Sequence, residues 1–211
     1  MKVISFICEE DIDELCANTY ILIDSFNSCV VIDPSKDNDK IVNYINKNKL
    51  NLKAILITHS HVDHFRGAKV LIDTYNVPFY IGFNDEPALK DEYLNCSSLL
   101  NEHTILEVSP ISVSEKDTIN VLEEEIKVID TPYHTCGGVC YYLKDSGLLF
   151  SGDSLFNNGY GRTDLPTSVR SKTIDTIKKL LKLPENTKVY PGHGLTTTIK
   201  EEVEFNKYLL N

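Results

Sequence analysis

The chain has 211 residues with ordinary hydrophobic (42%) and charged (25%) fractions, which predicts a single globular domain over residues 1–211. Its net charge of −10 argues against a nucleic-acid backbone as the main partner. No apolar run approaches the ~20 residues that a membrane span needs. Because the N-terminus does not resemble a signal peptide, we expect a cytoplasmic protein whose six cysteines are reduced.

The first half alternates strand-like and helix-like segments. Short β-rich runs occupy 2–7, 18–23 and 28–33, and the third ends at the turn signal Asp33-Pro34. Helical spacing of apolar residues predicts a helix at 38–48, and the continuous run AILIT at 54–58 predicts a strand buried on both faces. A helix at 64–75 and a strand at 77–81 follow, whereas 85–104 is weakly patterned.

The second half repeats this theme. TINVLEEEIKVIDT predicts a hairpin, and GVCYYLKD with GLLFSGD predicts another around Asp145-Ser146-Gly147. Two amphipathic helices are predicted at 168–182 and 197–209. The core stripe of the first is expected to comprise Ile174, Ile177, Leu180 and Leu181.

The strongest chemical signal directly follows AILIT, where His59, His61, Asp63 and His64 form the pattern His-x-His-x-Asp-His. At an extended strand end, His59 and His61 point to the same side because side chains alternate. Asp63 and His64 are adjacent and diverge toward a second position as a helix begins. The pattern predicts one loop that serves two metal ions; the alternative is a polar loop that happens to contain three imidazoles.

Three later segments also place a potential ligand after a predicted strand. His134 follows IKVIDT, Asp153 follows LLFSG, and His193 lies in the glycine-flanked loop of KVYPGHG. Each alone would be an ordinary core or turn residue, but four strand ends that offer His or Asp predict one common site. His103 lies in the weakly patterned middle and is expected not to be a ligand.

With these motifs in this order, the chain resembles the metallo-β-lactamase superfamily, and within it the glyoxalase II-like (hydroxyacylglutathione hydrolase-like) branch. The segments that carry the resemblance are NTYILIDSFNSCVVIDPS, THSHVDH, DTPYHT, GDSLF, GRTDLP and PGHG. The resemblance implies an α/β fold, an αββα sandwich of two mixed β-sheets flanked by helices. It also implies two metal sites, the first held by His59, His61 and His134, the second by Asp63, His64 and His193, with Asp153 as the bridge.

The chain departs from the family pattern in three respects, and one of them is Cys136, which stands where the family commonly has Pro. Tyr133 stands where the family commonly has Gly, and we expect it to narrow the pocket mouth or to contact substrate. Arg162, in GYGRTDLP, is the second candidate for substrate binding, and we expect acidic or carbonyl groups to hold it. The chain also ends 18 residues after His193, without the helical glutathione-binding domain of glyoxalase II, which predicts weak dependence on the thiol carrier.

The expected cofactors are two divalent metal ions, zinc first, with iron or manganese as alternatives. Water bridging two dications loses a proton near neutral pH, with a pKa of about 7, and the resulting hydroxide attacks a carbonyl carbon. Asp63 is expected to accept the proton or to steer the nucleophile. Because no strong general acid is evident, a small-molecule thioester or activated ester fits better than an amide.

Two other hypotheses remain at this point. A persulfide dioxygenase-like enzyme would hold one iron on His59, His134 and Asp153 and would leave the other histidines of the site without a role. A metal-stabilised module without catalytic activity is the second. Metal content, measured beside oxygen uptake with a persulfide, distinguishes the hydrolase from the dioxygenase-like enzyme.

Overall fold

The computed structural model describes residues 1–8, 15–35, 38–206 and 208, and its strands form two six-stranded sheets. The first contains, in spatial order, β1 (Lys2–Phe6), β2 (Thr19–Ile23), β3 (Ser28–Ile32), β4 (Asn51–Leu56), β5 (Phe79–Gly82) and β6 (Ile111–Val113). The second contains β7 (Thr118–Ile119), β8 (Ile126–Asp130), β9 (Val139–Leu143), β10 (Leu148–Gly152), β11 (Lys188–Pro191) and β12 (Thr197–Thr198). Both sheets are mixed. In the first, β1 to β3 pair antiparallel and β3 to β6 pair parallel. In the second, β10 and β11 pair parallel and the other neighbours pair antiparallel.

The helices are α1 (Asn38–Lys47), α2 (Val62–Phe65), α3 (Ala68–Tyr75), α4 (Thr173–Leu180) and α5 (Ile199–Phe205). Short 3-10 helices occupy Phe83–Lys90, Ser98–Leu100 and Arg170–Lys172. Within the described part of the chain, no helix combines the length and apolar content needed to cross a bilayer.

Side-chain alternation along the strands builds three apolar layers. Tyr20 and Leu22 of β2 join residues of the second sheet in the core between the sheets, whereas Ile21 and Ile23 pack against α1 and α3. On the far side of the second sheet, Leu149 packs with residues of α4 and α5. The order helix, sheet, sheet, helix confirms the predicted αββα sandwich.

Three local expectations change in the structure. The helix predicted at 64–75 is divided into α2 and α3, and two of the three 3-10 helices lie in or overlap the weakly patterned middle. The assignment of Ile174 to the core stripe of α4 is wrong, since this side chain is 43% exposed. The buried face of α4 instead comprises Thr173, Thr176, Ile177 and Leu180, whose spacing of three and four residues places them on one side.

The expectation that all cysteines are reduced is wrong for one pair, because Cys8 and Cys16 form a disulfide with their Cα atoms 5.9 Å apart. The sheet explains this proximity: Phe6 at the end of β1 pairs with Thr19 at the start of β2, which brings the flanking residues together. The four other cysteines, Cys29, Cys96, Cys136 and Cys140, are free.

Candidate metal centre

Four strands deliver the predicted ligands to one edge of the sandwich. The loop after β4 carries His59 and His61, and α2 carries Asp63 and His64. His134, Asp153 and His193 follow β8, β10 and β11. The structure therefore brings all seven predicted ligand residues together, as two groups of three and a carboxylate between them.

The first group consists of three nearly buried imidazoles. His61 Nδ1 lies 3.0 Å from His59 Nε2 and 3.0 Å from His134 Nε2. The relative exposure of these residues is 5% or less. Three imidazole nitrogens that converge in this way are a donor set suited to a divalent metal ion.

The second group joins two residues of α2 to the loop after β11. His193 Nε2 lies 3.2 Å from Asp63 Oδ2, and His64 Nε2 lies 3.6 Å from the same oxygen. One carboxylate and two imidazoles again form a donor set for a divalent ion.

Asp153 lies between the two groups. Its Oδ2 is 3.3 Å from His134 Nε2 of the first group and 3.6 Å from His193 Nε2 of the second. Its Oδ1 is 3.4 Å from His64 Nε2. A carboxylate in this position reaches both groups, as a bridging ligand must.

Some polar atoms of the cluster lack hydrogen-bond partners within the described ranges of the chain, as is expected of atoms that bind a metal ion. His64 Nε2 and Asp153 Oδ1 are buried and have no hydrogen-bond partner among the described residues. Buried polar atoms are otherwise almost always paired, because an unpaired one costs about 1–3 kcal/mol. Potential metal ligands that lie close together without hydrogen-bonding to one another indicate that the cluster is arranged around cations.

The charge states favour metal binding as well. Burial lowers the pKa of His59 well below its ordinary value and that of His61 to about 3, so that both rings are neutral and offer lone pairs. Burial by itself would raise the pKa of Asp63, but the nearby His64 and His193 outweigh it and lower that pKa to about 2. His59 and His61 thus present neutral imidazoles, and Asp63 presents a charged carboxylate.

Asp33 is an orienting residue that the sequence analysis took only as a turn signal. Its Oδ2 accepts hydrogen bonds from His64 Nδ1 at 2.9 Å and Thr58 Oγ1 at 2.7 Å, and its Oδ1 accepts one from the Thr58 backbone N–H at 2.7 Å. A carboxylate on the far nitrogen of a ligating imidazole fixes its tautomer and ring orientation. The backbone carbonyl of Arg162 has the same role for His134 Nδ1, at 2.9 Å.

Asp85 connects the two ligand-bearing loops and was also missed, because it lies in the weakly patterned middle. Its fully buried carboxylate accepts hydrogen bonds from the Ser60 N–H, the Thr135 hydroxyl and the Gly137 N–H at 2.9, 2.7 and 2.7 Å. Ser60 lies between His59 and His61, and Thr135 follows His134. Asp85 therefore holds the three imidazoles of the first group in register.

Three other predicted positions have different outcomes. Tyr133 is fully buried, and its hydroxyl donates to the Ser154 carbonyl at 2.6 Å, so the expected contact with the pocket is corrected to a structural role beneath Asp153. Arg162 is held by Asp164 through two hydrogen bonds of 2.6 and 2.7 Å, as expected of a paired guanidinium. His103 lies outside the ligand groups and pairs with Glu92 at 2.8 Å.

Two glycines permit the close packing of the centre. Gly152 adopts a φ of +48°, which favours glycine, and a Cβ there would lie 2.3 Å from Thr58 Oγ1. At Gly192, a Cβ would lie 2.3 Å from Asp153 Oδ1 and 2.5 Å from His64 Cε1. Both ligands would have to move if a side chain occupied this position.

Gly192→Ala is therefore expected to lower metal affinity at least about 10-fold, because the added methyl group displaces Asp153 and His64 together. Competition with a chromophoric chelator measures the affinity. Gly159→Ala is the matched control, since a Cβ there would meet nothing within 4 Å. Equal affinities for the two variants would show that Gly192 does not determine the ligand geometry.

A cavity of about 620 Å³ opens over the centre. His61, Asp63, His134, Asp153 and His193 line it on the side of the cluster. Its volume lies within the range of small-molecule sites. A substrate in this cavity is in direct contact with the candidate metal ligands.

The chain is similar to known proteins over most of its length. The chain is 36% identical to the probable metallo-hydrolase YqgX of Bacillus subtilis. The alignment spans 195 residues and covers 92% of each chain. It is also 30% identical to a hydroxyacylglutathione hydrolase of Buchnera aphidicola subsp. Baizongia pistaciae. That alignment spans 188 residues and covers 89% of this chain and 65% of that protein.

Solved structures show the same fold. The B3 metallo-beta-lactamase BLEG-1 superposes with a TM-score of 0.86 at 33% identity, over 92% of this chain and 95% of that one. TTHA1623, in a di-iron-bound form, superposes with a TM-score of 0.82 at 28% identity, over 96% and 99% of the two chains.

The sandwich of two mixed sheets, with its buried cluster of His and Asp at the strand ends, and the similarity to a probable metallo-hydrolase over 92% of both chains define the class as metallo-hydrolase. The family model of the metallo-beta-lactamase superfamily matches residues 13–193. The chain belongs to this superfamily.

Proposed function

We propose that the chain hydrolyses a small-molecule thioester or activated ester at a centre of two divalent metal ions, zinc first, with iron or manganese as alternatives. The observation that carries the proposal is the convergence of seven ligands as two groups of three with Asp153 within reach of both. His59, His61 and His134 would hold the first ion, and Asp63, His64 and His193 would hold the second. The di-iron form of TTHA1623 supports a centre of two ions.

In the reaction, a water oxygen bonds to the acyl carbon, the carbon–sulfur bond breaks, and the sulfur leaves as a thiolate with the electron pair. When bound at this centre, two divalent ions would lower the pKa of water and polarise the acyl carbonyl. The Asp63 carboxylate, kept charged by His64 and His193, would accept a hydrogen bond from the water and steer it toward the acyl carbon, while the water proton passes to solvent. The thiolate needs no protonation before it leaves, because its conjugate acid has a pKa of only about 8.5.

The charge of the cavity predicts little discrimination between thiol carriers. Among the described residues that line it, Arg162 is the only Lys or Arg, and Asp164 already pairs with its guanidinium. A carrier with several carboxylates or phosphates therefore finds no unpaired guanidinium or ammonium group there. The similarity to a hydroxyacylglutathione hydrolase supports the thioester class, whereas the cavity supports a broad carrier range.

The test combines metal analysis with kinetics on protein purified without added metal. We expect close to two metal ions per chain by mass spectrometry, and hydrolysis of one acyl group on three or four thiol carriers, glutathione included. The values of kcat/KM should agree within about 100-fold, which corresponds to about 2.7 kcal/mol. A larger preference for glutathione would reveal a dedicated carrier site. One ion per chain together with oxygen uptake on a persulfide would instead favour the dioxygenase-like hypothesis.

β-Lactam hydrolysis is the second candidate, favoured by the 33% identity to BLEG-1 over nearly the whole of both chains. A cyclic amide has a poorer leaving group than a thioester, and the centre offers no strong general acid among its described residues. The same preparation should therefore cleave thioesters faster than a penicillin or a cephalosporin. Faster β-lactam hydrolysis would assign the chain to the lactamases of the superfamily.

A further inference from the structure

Apolar side chains from separate segments line the cavity above the centre. Val62 precedes the ligand Asp63, Leu99 and Leu100 lie on a 3-10 helix, and the loop after β10 adds Phe156, Tyr160 and Leu165. These segments are far apart in sequence, yet the fold brings all of them to the metal ligands. The wall of the cavity is therefore apolar on more than one side.

Several of these side chains are exposed to solvent in the structure. Leu99 is 53% exposed, Tyr160 is 37% exposed and Leu100 is 36% exposed. A cluster of exposed apolar side chains beside a polar centre is typical of a surface that a ligand covers. Covering this surface stabilises the complex in proportion to the apolar area removed from water.

Charge provides a second, independent constraint. The single arginine of the described lining is already paired with Asp164. The chain as a whole carries a net charge of −10. An acyl group that bears a carboxylate or a distal hydroxyl would lose its hydration without gaining an unpaired cationic partner from the described wall.

From this wall we infer that the substrate carries an aliphatic, uncharged acyl group of medium length, of about six carbons, in preference to acetyl or to acyl groups with a polar end. This inference rests on the proposed function and names its substrate class. The acyl group is bonded to the carbon that reacts at the centre, so it is the part of the substrate that must lie against the nearby wall. Each methylene placed there adds to transition-state binding, provided that the contact is kept during the reaction.

The experiment compares acyl groups on one small neutral carrier, N-acetylcysteamine, with the metal-loaded enzyme. We expect kcat/KM to be about 100-fold higher for hexanoyl than for acetyl, since four methylenes become buried. The 6-hydroxyhexanoyl thioester should react about 10-fold more slowly than the hexanoyl thioester, because its hydroxyl loses water without a partner. Equal values for acetyl and hexanoyl would overturn the inference and leave the proposed function intact. Failure of every thioester to react would overturn both.

Variants locate the contact. Leu99→Asn and Leu165→Asn each introduce a polar side chain with the same number of non-hydrogen atoms as leucine. At least one of them should lower the ratio of kcat/KM for hexanoyl to kcat/KM for acetyl fivefold or more. The matched control is Ile174→Asn, an exposed apolar position on α4 that does not line the cavity. An unchanged ratio in both wall variants, or an equal fall in the control, would show that these side chains do not receive the acyl group.

Discussion

Asp153→Asn is expected to remove at least one metal ion per chain and to lower turnover at least about 100-fold. The substitution keeps the size of the side chain but removes the negative charge that two dications share. The carboxylate lies within 3.6 Å of nitrogen atoms in His64, His134 and His193, so its loss affects both ligand groups. Metal per chain by mass spectrometry and kcat on the thioester with the highest rate measure the two effects.

Asp73→Asn provides the control for the loss of one negative charge, because Asp73 is exposed and pairs with Lys69 on the surface of α3. It should leave metal content and turnover unchanged. Two ions and full turnover in the Asp153→Asn protein would show that this carboxylate is not a ligand and would remove the basis for a bridged centre.

Asp33→Asn is expected to lower metal affinity by about 10- to 100-fold, although Asp33 contacts no metal position directly. The Asn carbonyl can still accept from the Thr58 N–H, which turns its amide NH₂ toward His64 Nδ1. That nitrogen must then accept a hydrogen bond, and the proton of the neutral ring moves to Nε2. Nε2 is the atom 3.4 Å from Asp153 Oδ1, and a protonated nitrogen cannot bind a metal ion.

Chelator competition measures the metal affinity, and thermal unfolding of the metal-free protein measures its stability. Together they separate the effect of the His64 tautomer from a general loss of stability. Asp24→Asn is a suitable control, because Asp24 is also nearly buried and one of its oxygens accepts two backbone hydrogen bonds away from the centre. Both variants should change the unfolding temperature modestly, but only Asp33→Asn should lose metal affinity. Parallel losses in the two variants would contradict an orienting role for Asp33.

The sequence by itself predicted the strands and the set of candidate ligands, and the resemblance carried by its motifs implied the αββα fold. Alternating and continuous apolar runs identified the strands, because the period of two is imposed by the pleat wherever a strand is buried. His59, His61, Asp63 and His64 are recognisable because their spacing is local and unusual. His134, Asp153 and His193 could be added since each follows an apolar strand, and the ends of neighbouring strands meet at one edge of the sandwich.

The positions that support the centre were decided by the tertiary structure. Asp33 and Asp85 reach their partners across 25 to 52 residues of sequence, so no local pattern marks them. The burial of Tyr133 and the pairing of Cys8 with Cys16 likewise depend on which segments pack together, as does the exposure of Ile174. A motif specifies which atoms are available to a metal ion, whereas packing specifies their orientation, their protonation and the apolar wall that faces the substrate.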